Sequence, residues 1–458
     1  MHTEHVPDEA SGDAPPLEET SFIQKLLAWD LISAVLLLTS AAGAVALANS
    51  PASGWYHDLW HASAGVSLGR IEITQSVHHW INDGLMAIFF FVVGLEIKRE
   101  LLVGELASFR RALLPVVAAA GGMIFPATIF AAINWGAPSI RGWGIPMATD
   151  IAFATGCLAL LGKRVIPAMS VFLVALAIAD DIGSVAVIAI FYTQQIDTSS
   201  LLTGGILILF SFGLNWAGVR KTWPYAGIGL LVWWAFLQSG VHATIAGVLL
   251  AFTVPASARY VTPLFAGRLS VLLDRFVHAE DHVQPYLVNH RQQELIRHMT
   301  RECHDVEAPL QRIEHALYPV CVLFILPLFA FANSGITLQL GNIGTMLFER
   351  VTLGVIFGLL LGKQIGITLA SWIAVKLKWA ELPHGMTWRH VYGLSWIAAI
   401  GFTMALFIGE LAFMDPGLAG NAEYIAQAKF GTFIASITAG IMGCAILRTG
   451  AIPGTADS

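Results

Sequence analysis

Residues 168–194 read AMSVFLVALAIADDIGSVAVIAIFYTQ, an almost unbroken apolar run with two adjacent aspartates, Asp180 and Asp181, near its middle. A run of about 20 apolar residues is what a helix needs to cross a bilayer. A helix apolar on every side belongs in a large core or in a membrane. An ionisable side chain at the centre of such a helix costs about 2.5–3.5 kcal/mol on insertion scales. One carboxylate there calls for a reason, and two call for a stronger one. The runs therefore predict the fold, and the charges inside them predict the function.

The rest of the chain agrees with this stretch. Its 458 residues are 56% hydrophobic and only 12% charged, with mean hydropathy +0.68, whereas soluble domains are about 25% charged. That excludes disorder, a nucleic-acid binder and a disulfide-stapled secreted domain. Twelve apolar stretches follow one another, with cores at 28–49, 80–97, 112–134, 143–162, 168–194, 201–219, 225–238, 241–255, 316–336, 351–375, 391–413 and 428–447. They predict an all-α integral membrane protein of about 12 transmembrane helices, since the strand alternation of a barrel is absent. Only Gln238, Ser239 and Gly240 divide the seventh stretch from the eighth. Cys157, Cys321 and Cys444 lie in apolar segments and Cys303 in a polar loop, with no Cys-x-x-Cys pair to suggest zinc or redox chemistry.

Lysine and arginine collect on cytoplasmic loops. Of the 25 such residues, the tails and even-numbered loops hold 20 and the odd-numbered loops only Arg70, Arg141 and Arg350; Lys363 and Lys429 fall in or beside spans. Both termini are therefore expected in the cytoplasm. The first 27 residues, acidic and holding three prolines, read as a disordered cytoplasmic tail, followed by a transmembrane domain over 28–448 and a short cytoplasmic tail over 449–458. Within that domain, 256–310 is a long cytoplasmic loop. Met299, Cys303, Val306, Leu310, Ile313 and Leu317 recur at helical spacing, predicting an amphipathic helix into the ninth span, with Pro309 arguing for a break.

Few ionisable residues lie within the spans: Asp150, Asp180, Asp181 and Lys363 are the central ones. Three acids and one base do not neutralise one another, so something cationic is expected to bind, either protons or a metal ion. Adjacent helical residues point about 100° apart. One of Asp180 and Asp181 can thus pair with Lys363 while the other faces an aqueous cavity and an arriving Na⁺. Oxygen ligands suit such a hard cation. Two spans look interrupted. Pro146 removes a backbone donor beside Thr149 and Asp150, and Gly401 and Thr403 stand at a comparable place in the eleventh stretch. The fourth and eleventh spans are the middles of two triplets, 3–5 and 10–12. Paired breaks at corresponding positions point to inverted-topology repeats around a mid-membrane site, with Asp150 offsetting positive helix ends and Lys363 negative ones.

Several motifs closely resemble the NhaA family of bacterial sodium/proton antiporters. They are Asn-Asp-Gly-Leu-Met-Ala-Ile-Phe-Phe-Phe-Val-Val-Gly-Leu-Glu-Ile-Lys-Arg-Glu-Leu (82–101), Met-Ala-Thr-Asp-Ile-Ala-Phe-Ala (147–154), Ala-Ile-Ala-Asp-Asp-Ile-Gly (177–183), Ser-Gly-Val-His-Ala-Thr (239–244), Leu-Pro-Leu-Phe-Ala-Phe-Ala-Asn-Ser-Gly (326–335) and Gly-Lys-Gln-Ile-Gly-Ile (362–367). The likeness runs in order over about 25–448. This family is itself an example of inverted-repeat architecture, so the repeat reading and the resemblance are not independent. The resemblance implies that Asp181 is the principal cation carboxylate, that Asp180 pairs with Lys363, and that Thr149 and Asp150 line the unwound helix. It links Glu96, Glu100, His242 and Glu314 to pH sensing at the cytoplasmic face, although His242 equally suits a packing role. Two departures stand out: the 256–310 loop is longer than the family's norm, and Glu410 replaces an expected small or polar residue, where it is read as a carboxylate near the outer surface.

The expected activity is secondary antiport, not enzymatic catalysis, with Na⁺ or Li⁺ leaving and H⁺ entering through competition for the Asp180–Asp181 site. No cofactor and no nucleic acid are expected. The family implies an inner-membrane location, an electrogenic exchange and a homodimer. An intramembrane aspartyl protease would want its two aspartates on different spans, and a channel would want a filter or charged ring. Neither pattern is present in the sequence.

Overall fold

The computed structural model describes residues 19–68, 71–193, 196–257, 262–279, 290–337, 343–414 and 420–449. Each apolar stretch coincides with a helix or with a helix broken in two. Among the described residues, eight helices are long and apolar enough to cross a membrane: Leu31–Ala48, Val77–Val103, Phe109–Ile133, Pro167–Phe191, Thr198–Trp216, Pro309–Asn333, Arg350–Lys376 and Asn421–Arg448. A ninth is assembled from Trp388–Ala398 and Phe402–Phe413, bent by 48° at the break between them. Trp223–Ser239 and Ala243–Thr253 are shorter, and residue Gly240 between them takes φ +76°, a left-handed turn that glycine adopts without penalty. These two stretches are separate helices, as the distribution of Lys and Arg over the loops predicts, and the break falls after Ser239.

Several helices turn large apolar side chains outward. On Thr198–Trp216, Leu202, Ile206, Leu209 and Phe210 are all exposed, which suits lipid rather than water. Inward packing relies on small residues where helices come closest. Gly121 and Gly366 bring the backbones of Phe109–Ile133 and Arg350–Lys376 into direct contact, and a Cβ at Gly362 would lie 2.6 Å from Pro126 Cα. This close approach matters because Lys363 stands beside Gly362. Phe407 of Phe402–Phe413 packs on Phe90 and Phe329, with ring centroids 5.4 and 6.1 Å away.

The structure amends the all-α expectation. Ser63–Leu68 and Ile71–Ser76 form an antiparallel two-stranded hairpin with Ser63 opposite Ser76. The first helix starts at Glu19, so residues 19–27 of the expected disordered tail are helical; the remainder of that tail, 1–18, lies outside the described residues, as does 450–458 of the C-terminal one. In the 256–310 loop, Thr262–His278 and His290–Val306 are helices, and 258–261 and 280–289 lie outside the described residues. The expected amphipathic helix stops at Val306. Pro309 then opens the next one, at the first helical turn where its missing N–H leaves no bond unmade.

Candidate functional site

Two broken helices cross in the interior. Residues Pro138–Met147 form a 3₁₀ helix, 148–150 are extended, and Ile151–Ala159 resumes as α-helix with Asp150 as its N-cap. Pro146 cannot donate to a continuing helix, and a short carboxylate is a preferred cap, so the local sequence dictates both the stop and the restart. On the other side, Trp388–Ala398 ends and Gly401 precedes Phe402–Phe413. The segments bond to each other directly, Asp150 N donating to Ile400 O at 2.7 Å.

Asp150 serves two helix starts at once. Its Oδ1 accepts from Phe153 N at 3.0 Å, in its own helix, while its Oδ2 accepts from Thr403 N at 3.0 Å and from the Thr403 hydroxyl. Both helix N-termini therefore direct their partial positive charge at one buried carboxylate. Thr149 sits at the opposite polarity, its Oγ1 within 2.8 Å of Ala398 O, the last carbonyl of Trp388–Ala398, and within 2.6 Å of Asp180 Oδ2. A hydroxyl has one hydrogen, so it donates to one of these acceptors at a time. Lys363 Nζ donates to Thr149 Oγ1 at 2.9 Å and ion-pairs with Asp180 Oδ2. Lys363 and Asp180 are fully buried.

Asp181 is different. It is 3% exposed and, among the described residues, has neither a hydrogen bond nor an ion pair. Asp180 Oδ1 and Ser184 Oγ are likewise buried without a partner. Ser184 follows Asp181 by three residues and so lies near its face of the helix; sequence reading missed it, although a hydroxyl one turn from two intramembrane acids is a readable signal. Helix ends balance Asp150, and Lys363 balances Asp180. Among the described residues, no ion pair or hydrogen bond balances Asp181. No cluster of three His, Cys, Asp or Glu side chains suited to a resident metal occurs among the described residues.

Glu96, Glu100 and Glu314 do come together, about Arg99, a residue the sequence reading did not single out. Arg99 pairs with Glu314 and lies 3.8 Å from Glu96 and 3.6 Å from Glu100, while Glu100 Oε2 also accepts from Glu105 N at 3.1 Å. The i, i+3 and i+4 spacing of Arg99 and its neighbours carried that signal. The structure does not bring His242 to this group. Its Nε2 bonds Tyr192 O at 2.9 Å, just past the end of Pro167–Phe191 and eleven residues beyond Asp181, about 16 Å along the helix. Glu410, expected near the outer surface, is buried and paired at 2.7 Å with Lys429.

The Na⁺/H⁺ antiporter 1 family model matches residues 24–447, nearly the whole chain. The chain belongs to this family. Curated relatives named Na⁺/H⁺ antiporter NhaA agree. That of Saccharophagus degradans is 47% identical over 89% of this chain and 87% of its own. The Oleidesulfovibrio alaskensis protein is also 47% identical, over 93% of each chain, and the Koribacter versatilis protein 45% identical over 98% and 96%. As a member of the Na⁺/H⁺ antiporter 1 family, the chain is a multi-pass membrane transporter rather than an enzyme.

Proposed function

We propose that the protein exchanges Na⁺ for H⁺ at the crossing of its two broken helices, with Asp181 as the carboxylate that alternately holds cation and proton. The observation carrying this reading is the buried, unpartnered Asp181 beside an Asp180 already matched by Lys363. A hard cation asks for oxygen donors; Asp181 has no bond among the described residues, and Oδ1 of Asp180 and the Ser184 hydroxyl are buried without a partner. Occupancy by Na⁺ excludes the proton, and protonation excludes Na⁺. Alternating exposure of the site to the two sides converts that competition into exchange. Thr149, Asp150, Gly401 and Thr403 hold the two breaks in place, so their role is to position the site. Lys363 balances Asp180, and release of that pair during the cycle would let the amine carry a proton and make exchange electrogenic.

The finer architecture is part of the same proposal. Twelve spans, with inverted repeats over spans 3–5 and 10–12, suit the coincidence of all twelve apolar stretches with helices or helix pairs. Both termini in the cytoplasm follow from the distribution of Lys and Arg, and an inner-membrane location from the bacterial relatives. The Arg99 group then lies at the cytoplasmic face, where Glu96, Glu100 and Glu314 set the pH of activation. Li⁺ follows Na⁺ as a second substrate, and the active form is a homodimer. The test is the pH gradient across everted vesicles containing the full chain. Na⁺ and Li⁺ should each discharge it at alkaline pH while K⁺ leaves it intact; a gradient indifferent to Na⁺ at every pH overturns the reading.

A further inference from the structure

The mechanism above leaves one buried charge pair unused. Glu410 lies on Phe402–Phe413, seven residues and two helical turns beyond Thr403, hence about 10 Å along the axis from the Asp150 crossing. Its partner Lys429 stands half-buried on Asn421–Arg448, 2.7 Å away. A buried ion pair is weak evidence for stability, because well-packed apolar residues usually do as well. Its surroundings are more informative. Phe407, one turn before Glu410, packs on Phe90 and Phe329 of the helices Val77–Val103 and Pro309–Asn333. Those same two helices supply a polar group, with Asn333 Nδ2 donating to Asn82 Oδ1 at 2.9 Å and Asn333 Oδ1 lying 3.0 Å from His78 Nε2. That contact requires Nε2 to carry hydrogen, so the contact of Asn82 Nδ2 at 3.4 Å brings two donors together and is no bond. His78 therefore accepts its second proton at Nδ1. The charged and titratable groups acting on His78 are Glu410 and Lys429 from the facing helices, His61 from Ser53–His61 and Asp83 from its own helix, where Asp83 also pairs with His79 at 3.2 Å.

We propose that His78, Glu410 and Lys429 form an ionisable station at the end of the molecule opposite Arg99, through which proton concentration on that side controls access of Na⁺ to the Asp181 site. It rests on the antiport reading above. With His78 neutral, Glu410 and Lys429 cancel, and a passing cation meets no net charge. With His78 protonated, one carboxylate faces two cations, and the station carries a net positive charge. A unit charge about 10 Å from a passing Na⁺, in surroundings of effective dielectric near 20, weakens apparent affinity by about tenfold. The Arg99 group at the other end is not involved, so each side of the protein has its own response to pH.

The experiment measures Na⁺ transport by the full chain in right-side-out and everted vesicles, with lumenal pH clamped and bath pH and bath Na⁺ varied. His78→Gln should lower the apparent KM for Na⁺ by about tenfold at acidic bath pH and leave it at the wild-type value at alkaline pH. It should do so in only one vesicle orientation, the one exposing residues 77–82 to the bath. Replacing the pair together, Glu410→Gln with Lys429→Met, avoids stranding a buried charge and should change the acid effect in that same orientation, because the pair is part of the charge a passing cation meets. Variants that match wild type at every bath pH, or that change KM equally in both orientations or at alkaline pH, overturn the station while leaving antiport standing. Wild-type vesicles without Na⁺-driven exchange overturn both.

Discussion

The helix crossing and the Arg99 group hold the same set of charges in different media. Each has three carboxylates and one cationic side chain: Asp150, Asp180, Asp181 and Lys363 in the first, Glu96, Glu100, Glu314 and Arg99 in the second. At the crossing, all four side chains are withdrawn from solvent, whereas the Arg99 side chain is 30% exposed. The Glu96 and Glu100 side chains keep 19% and 17% of their surface in solvent, so water and salt relieve part of the negative surplus there, although Glu314 is buried. A buried surplus has no such relief. It must be met by helix ends, by a counter-ion or by a proton, and for Asp181, which has no ion pair among the described residues, the last two are the candidates. On the proposed reading, the comparison separates groups that would sense protons from groups that would exchange them, although all are carboxylates.

That distinction can be broken most decisively at Asp181. Asp181→Asn should abolish calorimetric Na⁺ binding at alkaline pH, since an amide offers neither the charge nor the exchangeable proton; binding that survives would reassign the site. Next in size is the dependence of affinity on pH. On the acid side of the optimum, with equal pH on both faces, the apparent KM for Na⁺ should rise about tenfold per unit, because each unit adds about 1.4 kcal/mol to the removal of the competing proton. Two coupled protons would steepen this to about a hundredfold, and the titration would belong to the group rather than to one residue. A KM flat over two units would refute a shared site.

The Arg99 group should respond differently. Glu314→Gln removes the carboxylate closest to Arg99, and the activity profile should shift along the pH axis with its maximal rate retained. A lower maximum at every pH would place Glu314 in the permeation path and erase the contrast. The smallest effect is expected of a carboxylate that neither exchanges nor senses. Asp197 caps Thr198–Trp216, accepting from Ser200 N at 3.0 Å, and the bonds to Ser200 hold its carboxyl below the usual carboxylate range. A lowered folded-state pKa stabilises above the unfolded value of about 3.9 and ceases to do so as pH falls through the folded one. Asp197→Ala should thus lower Tm slightly near neutrality, the gap to wild type closing below about pH 4, with exchange unaffected.

Much of this was readable in the chain because bilayer solvation imposes strong patterns. Apolar runs located the helices, Pro146 and Gly401 located both breaks, and three acids against one base located the crossing. What escaped depends on contacts rather than on patterns. The hairpin over 63–76 is short, and the alternation of Val66, Leu68, Ile71 and Ile73 about Gly69 was its only signal. The π-helical turns Trp80–Leu85, Cys321–Ile325 and Gly358–Gly362 have no composition of their own. Glu410 looked like a surface carboxylate because Lys429, its partner, lies nineteen residues later on another helix. For Arg99 the local spacing to Glu96 and Glu100 is readable, but its shortest partner, Glu314, comes from a helix more than two hundred residues away.

The single hydrogen of Thr149 carries a consequence for how the site and the broken helix communicate. Two acceptors compete for it, Asp180 Oδ2 and the terminal carbonyl of Trp388–Ala398. While Asp180 is ionised, its oxygen is the stronger acceptor, and charge-assisted bonds are about twice as strong as neutral ones. Protonate Asp180 and the preference reverses, so the hydroxyl turns and caps the half-helix instead. One bond rotation thus writes the charge state of a carboxylate onto the end of a helix more than two hundred residues away in sequence. No backbone atom has to move first. Valine at position 149 would fill the same volume and leave the two ends deaf to each other.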